Sequence, residues 1–311
     1  MTFEQELRAA FGDRMRCRAP LAPFTTFRVG GPADWLVEAR TSAEVLQALR
    51  AAARHGIPLT LLGGGSNVVV ADAGVRGLVV RVHGGEIAAE GADRVRAEAG
   101  VTMNGLVRWT IARGLAGLEA WAGTPGTVGG AVHGNAHFQG RLIGGLVRSV
   151  RLATRAGAVR DVDASAMAFG YDRSRLQETG EVALSVVFAV TPGDPARLRE
   201  TARASLEYRK RTQPLRLPSA GCIFQNPDPS REALPAGIPP SAGALVDRAG
   251  LRGAAEGGAR VSPVHANFIV NEGSATSRDI RRLVERCRRA VAERFGVELR
   301  EEIVYLGDVE A

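Results

Sequence analysis

Cys222 stands in the stretch PSAGCIFQNP (218–227), where small residues and a proline lead into one thiol, an apolar pair and an amide pair. Three readings are open to it: a small core residue, a redox thiol, or a proton donor held by a tight glycine turn. A thiol ionises near pKa ~8.5, so at neutral pH it releases a proton far more readily than an alcohol. Two glycine loops offer a different chemistry. In LLGGGSNVVV (61–70), Gly63, Gly64 and Gly65, then Ser66 and Asn67, follow an apolar run. Successive backbone N–H groups with free φ turn inward and make a nest for an anion, and Ser66 and Asn67 add side-chain donors. The second loop, AGTPGTVGGAVHGNA (122–136), carries Thr124, Pro125, Gly126, Thr127, Gly129, Gly130 and Ala131. Neither loop is a Walker loop or a GxGxxG fingerprint, and each alone also reads as a tight turn. Together they fit a large two-ended ligand such as a dinucleotide, although the missing fingerprint argues against a Rossmann site. His133 and His137 read either as loop histidines in local hydrogen bonds or as ligand contacts. No Cys, His and carboxylate group has metal spacing, so no metal is expected.

The elements that must position these residues are readable in part. FRVGGPADWLVEA (27–39) is strand-like with a Gly-Gly-Pro break. TSAEVLQALRAAARHG (41–56) predicts a helix with a Thr41/Glu44 capping box, a stripe of Val45, Leu46, Leu49 and Ala53, and Gly56 as its stop. IPLTLLG (57–63) has strand length, which suggests a βαβ unit. From 78 to 190 the pattern is mostly strands, interrupted by a helix near 102–113 and by glycine-rich loops. Residues 194–211 predict a helix with Asp194 at the N-cap, Pro195 at N1 and Leu198, Ala202 and Leu206 on one face. TQPLRLPSAG then reads as a domain crossing. TSRDIRRLVERCRRAVAERFG (276–296) predicts a long helix whose buried stripe holds Ile280, Leu283, Val284, Cys287, Val291 and Phe295. On that stripe Cys287 is a core residue. VELREEIVYLG (297–307) predicts the last strand.

Composition bounds the function. The 311 residues exceed one typical domain, and 45% apolar content allows a packed core. No run of ~18 uninterrupted apolar residues predicts a membrane span. The first residues mix acids and bases without an apolar stretch, unlike a signal peptide. Three cysteines, few and odd in number, argue against a disulfide framework and predict a reducing cytoplasm. The net charge is +7, carried by arginine and one lysine, Lys210, which favours anionic ligands. Dispersed basic residues and only 5% aromatics argue against nucleic acid.

In this order along the chain, TTFRVGGPA, GGGSNVVV, GTPGTVGGA, YRKRTQP, PSAGCIF, GALVDRAGLRG, GGARVSPVHANFIVNEG and LREEIVYLG resemble the UDP-N-acetylenolpyruvoylglucosamine reductase family, known as MurB. The resemblance runs over about residues 20–307. Its glycine motifs are shared with flavin oxidoreductases of the vanillyl-alcohol-oxidase type, while the PSAG, GLRG and HANFIVN motifs are specific to MurB. It implies an α+β fold: a two-subdomain FAD-binding module of the vanillyl-alcohol-oxidase type plus a smaller α+β substrate-binding domain. The implied bounds are 1–78 rejoined by 297–311, then 79–205, then 206–296 for substrate. The compact 207–227 region looks like the shorter type II branch. The implied activity is NADPH-dependent, FAD-mediated reduction of UDP-N-acetylglucosamine-enolpyruvate to UDP-N-acetylmuramate, a step of peptidoglycan precursor synthesis, by a cytoplasmic and preferably monomeric protein. A flavin oxidoreductase with another substrate, or a family-like binding protein without turnover, remains the alternative.

By the same resemblance the glycine loops hold FAD, and three residues carry the chemistry. Hydride addition to the enol ether drives charge onto the neighbouring carbon and its carboxylate, which calls for a cation or neutral acid there and for a proton donor. Cys222 takes the place of the family's usual serine donor. Glu302 matches the family's terminal glutamate, and its neighbour Glu301 points to the other face of an alternating strand. The family arginine belongs to a Phe-x-Tyr-Arg-x-Ser motif. FGYDRSR (169–175) puts Asp172 in its place and arginine one residue later, so Arg173 is the candidate and Arg175 a further one. A one-residue shift in an extended segment turns a side chain to the opposite face. A second departure is GGAVHGNAHFQG (129–140), which keeps Asn135 and Ala136 but brings in the two histidines. Lys210, Gln225, Asn226, His265 and Asn267 are the candidates to meet the nucleotide sugar.

Overall fold

A computed structural model describes residues 1–230 and 232–309. Packing divides the chain into two units, each assembled from separate stretches. One comprises Met1–Cys17, Asp34–Gly64 and Gly77–Tyr208; the other comprises Arg18–Ala33, Gly65–Arg76 and the chain from Arg209 onward.

The first unit has two larger sheets, of four and five strands, and two short two-stranded pairs. A four-stranded sheet runs in the order Met15–Pro20, Pro32–Ala39, Val75–Val82, Leu59–Leu62, with some strand ends belonging to the second unit. Two helices bury apolar stripes beside it: Phe3–Phe11, opened by a Thr2/Gln5 capping box, and Ser42–His55. The buried residues of the latter are Val45, Ala48, Leu49, Ala51 and Ala52. Ala53, expected on the stripe, is exposed, because the i, i+3, i+4, i+7 row from Val45 passes through Ala52. Thr41 caps this helix by accepting the Glu44 N–H, but the expected reciprocal bond is missing. The Glu44 carboxylate instead accepts from Arg14 and from the Arg40 N–H. The βαβ expectation is realised with an inserted neighbour: Leu59–Leu62 pairs in parallel with Val75–Val82, not with Pro32–Ala39. The strand expected over 27–39 forms only from Pro32, and Phe27 and Val29 fill the second unit's core.

A five-stranded antiparallel sheet follows, ordered Val159–Asp163, Val147–Ala153, Val182–Ala189, Arg94–Glu98, Ile87–Ala89. Helices Met103–Ala112 and Val128–His133 share its core, in which Val95, Leu106, Trp121, Val150, Val186 and Phe188 are buried. The helix Pro195–Thr212 buries Leu198, Ala202, Ser205 and Arg209 and leaves Leu206 40% exposed. The buried row therefore ends on an arginine where an apolar row through Leu206 was expected.

In the second unit, helices Ala242–Arg248 and Ser277–Phe295 pack with a sheet of Ala255–Glu256, Ala259–Val261 and Ile269–Asn271. Thr276 and Asp279 form a capping box and Gly296 ends the long helix at φ 68°. The expected stripe is buried, with Phe295 partly so; Cys287 is 1% exposed, and burial pushes its thiol up to about 12. The last strand is regular only over Val304–Leu306, which pairs in parallel with Val68–Val70. Upstream, the backbone bonds of 300–302 go instead to residues 223–225 through an isolated bridge. Among the described residues no helix is long and apolar enough to cross a membrane.

Candidate active site

In the first unit the two glycine loops touch. A Cβ on Gly64 would stand 2.6 Å from the Gly126 Cα, and one on Gly63 would stand 2.6 Å from the Thr127 Oγ1. A Cβ on Gly129 would meet Ala99 at 2.9 Å. These positions admit no side chain, so bare backbone lines both loops, and Gly126 itself sits at φ 95°. Thr127 caps the short helix Val128–His133 by accepting the Gly130 N–H. A pyrophosphate needs close approach of backbone N–H groups, and this glycine-only lining fits it. In the second unit Gly65 has φ 62°, and a Cβ there would run into the Phe24 carbonyl oxygen. Asn67 spends its side-chain amide on the Glu302 carbonyl at 3.0 Å. Ser66 and Pro125 lie on the same loops, and Ala131 is buried in the helix.

The FGYDRSR segment of the first unit closes a tight turn. Gly170 and Arg173 exchange both backbone hydrogen bonds, at 3.0 and 3.2 Å, with Tyr171 and Asp172 at the tip. Asp172 adopts φ 52°, a left-handed conformation that aspartate tolerates better than most residues. The side chains on this turn diverge. Arg173 is 59% exposed and pairs with Glu178 at 2.7 Å. Arg175 pairs with Glu181 at 3.0 Å and donates to the Ala166 carbonyl. Asp172 turns inward, its side chain 7% exposed, and holds the His137 Nδ1 at 2.9 Å. No signal in the sequence linked His137 to Asp172, because only the fold brings the two loops together. His133 is exposed, and its carbonyl accepts the Ser174 hydroxyl.

The second unit builds the surroundings of Cys222. Gly221 at φ 81° turns the chain into Cys222, which is half-buried. The next residues are fixed by Asn267, 3% exposed: its backbone carbonyl accepts Ile223 N–H, and its side chain accepts Phe224 N–H and donates to Phe224 O. Losing such a buried partner costs about 1–3 kcal/mol. Glu302 N–H donates to Ile223 O, so Glu302 lies on the segment bonded directly beside Cys222. Gln225 N–H donates to Arg300 O in the same pairing. Glu301 faces away, bound by Arg281 and Arg288, on a cleft of about 420 Å³ walled by residues 296–301.

The remaining candidates differ in what their polar atoms do. Lys210 is exposed near the end of its helix. Asn226 Oδ1 accepts Ala242 N–H, and His265 Nδ1 accepts Asn267 N–H while its ring packs on Phe268. Burial, with Arg252 nearby, holds the His265 ring below its ordinary pKa. Arg209 was not singled out from its basic run, yet it is 7% exposed. Burial lowers its guanidinium to about 10, offset in part by the nearby Cys222. Its place on the 198, 202, 205, 209 row was the available signal.

Residues 213–306 match the family model described as UDP-N-acetylenolpyruvoylglucosamine reductase, C-terminal domain, and residues 33–163 match an FAD binding domain. A UDP-N-acetylenolpyruvoylglucosamine reductase of Synechococcus sp. is 39% identical over 93% of this chain and 92% of its own length. A reductase of the same name from Symbiobacterium thermophilum is 39% identical over 97% and 96%. The crystal structure of the Thermus caldophilus enzyme superposes with a TM-score of 0.77 at 32% identity, covering 94% of this chain and 99% of that one.

Proposed function

The chain belongs to the UDP-N-acetylenolpyruvoylglucosamine reductase family, and from that membership we propose that it reduces UDP-N-acetylglucosamine-enolpyruvate to UDP-N-acetylmuramate with NADPH and FAD. The observation that carries the reading is the backbone pairing that sets Glu302 beside the Cys222 segment, within a domain matching that family's own C-terminal model. FAD, when bound there, would supply the hydride-transfer chemistry that links NADPH to the substrate. The substrate gains that hydride on its methylene carbon while the double-bond electrons move toward the carboxylate. Cys222 gives the proton that completes the reduction, and Gly221 presents the thiol. Glu302 steadies the charge that develops beside the carboxylate. Gly63, Gly64, Gly126, Thr127 and Gly129 hold the FAD pyrophosphate by backbone groups. Lys210 and Gln225 meet the diphosphate of the nucleotide sugar, with Asn226, His265 and Asn267 framing that region. The protein works in the cytoplasm, as its three cysteines, few and odd in number, suggest, and as a monomer.

The test separates the two halves of the reaction. Purified protein is reduced anaerobically with NADPH and then mixed with UDP-N-acetylglucosamine-enolpyruvate while flavin absorbance is followed. Bleaching followed by return of the yellow colour is expected. Bleaching without return would point to another substrate or a binding protein, and failure to take up FAD would end the reading.

A further inference from the structure

Within the second unit, Arg281 holds the chain on both sides of Glu302. Its Nη1 donates to the two Glu301 oxygens at 3.1 and 3.2 Å, and its guanidinium carbon lies 4.8 Å from the Tyr305 ring centroid. The guanidinium is itself fixed, because Nη2 pairs with Glu285 at 2.7 Å, one turn along the same helix. A planar guanidinium serves ion pairs at its edges and a ring at its face at the same time. Arg288, two turns along, adds a contact to Glu301 at 3.4 Å, and the Glu301 side chain is 15% exposed. The helix Ser277–Phe295 that carries both arginines is packed through Ile280, Leu283, Val284 and Cys287. The segment held by Arg281 is not part of a regular ladder. Its pairing is one isolated bridge between Phe224 and Glu301, and the chain bends at Ile303 before the strand Val304–Leu306. Glu302 N–H donates to Ile223 O at 2.8 Å, and Glu302 O accepts from the Asn67 amide at 3.0 Å. These bonds locate the peptide groups of Glu302. The direction of its side chain follows from how the chain is rotated about them, and the contacts of its neighbours set that rotation. Residues two apart in an extended chain share a face. Glu301 and Tyr305 both meet Arg281, and Ile303 is buried in the core that the helix shares, so this face turns to the helix and Glu302 to the other side.

Resting on the reductase reading, in which Glu302 steadies the developing charge, we propose that Arg281 is a positioning residue of that reaction: by gripping Glu301 and Tyr305 it sets the direction of the Glu302 side chain. Arg281 acts through Glu302 and makes no contact with the reacting atoms. Glu301 is its handle on the chain, which gives the adjacent carboxylates 301 and 302 separate tasks, one structural and one chemical. The charge that Glu302 steadies exists only as the hydride adds, so misdirecting Glu302 lowers the maximal rate of the substrate step and leaves substrate binding largely intact.

The test is a cycle of variants of the FAD-loaded protein, reduced anaerobically and mixed with UDP-N-acetylglucosamine-enolpyruvate over a range of concentrations. Arg281→Met keeps the apolar stem and removes the grip. It is expected to slow flavin reoxidation at saturating substrate by about 10–100-fold, the scale of a small misplacement of a catalytic group. FAD content and reduction by NADPH are expected to stay at wild type, and the half-saturating substrate concentration within about twofold. The deciding measurement repeats Arg281→Met in a Glu302→Gln background. A residue that acts only through Glu302 then has nothing left to position, so the further slowing is expected to be at most about twofold. Glu301→Gln, which keeps the shape and weakens the ion pair, is expected to slow reoxidation by about threefold or more and to lose that effect in the same background. It decides the matter if Arg281→Met does not fold. Reoxidation at the wild-type rate in these variants, an equal slowing in both backgrounds, or loss of FAD or of the NADPH step would each overturn the proposal while leaving the reductase reading intact. A wild-type rate in Glu302→Gln alone would remove Glu302 from the chemistry, and the proposal with it. Wild-type protein that is never reoxidised by the substrate would instead overturn the reductase reading itself.

Discussion

At the scale of residues, order within a short motif decides which group turns inward. In FGYDRSR the aspartate precedes the arginine, and the tight turn sends Asp172 inward and Arg173 to solvent. Cys222 shows the complementary case, in which the residue type changes but the position does not. Asn267 fixes the peptide groups of Phe224 and Ile223 just downstream, so the thiol's location is set by backbone bonds that any small residue at 222 would preserve. Cys222→Ala is therefore expected to fold normally and to be reduced by NADPH at the wild-type rate. Its reoxidation by substrate should fall by about 10²–10⁴-fold, the range for losing a general acid, and Cys222→Ser should retain most of the rate. Stopped-flow absorbance on reduced protein checks both. Equal reoxidation in the alanine variant would remove Cys222 as the donor.

At the scale of elements, the glycine loops are built by contact as much as by flexibility. Gly64 and Gly126 pack backbone to backbone, so a methyl group at Gly64 meets main chain that cannot rotate away. Gly64→Ala is expected to separate the two loops and reduce FAD bound per chain to well below one, read from the ratio of flavin to protein absorbance. Full FAD content in that variant would show that the contact does not shape the cofactor site. The terminal segment argues in the same direction. Its strand pattern runs from 297, but its regular pairing begins only at Val304, because residues 300–302 give their backbone bonds to the Cys222 segment. An element shortened in this way places Glu302 where a continuous strand would not.

At the scale of the whole molecule, the cofactor should contribute to stability as well as to chemistry. A ligand that binds only the folded chain stabilises it by about 2.7 kcal/mol at a hundredfold excess over Kd. Stripping FAD is expected to lower the melting temperature by several degrees, and adding FAD back to restore it, measured by calorimetry. An unchanged melting temperature would mean that FAD contributes nothing to the fold. Neither unit is one continuous stretch of chain, since each takes residues from both sides of the first glycine loop. The family motifs are accordingly scattered along the sequence rather than gathered in one block.

The sequence by itself determined the family, the α+β class, the helix of 277–295 with its cysteine in the core, and the candidate thiol. Local signals suffice for these: helical periodicity, capping residues and ordered motifs are properties of neighbouring residues. Only the tertiary structure decided that Arg209 is buried, that Asn267 is a brace for Phe224, and that His137 and Asp172 form a pair. Those relations join residues from separate stretches or set burial against residue type. Packing rather than local preference settles them, because a buried polar group is stable only where distant chain supplies its partners.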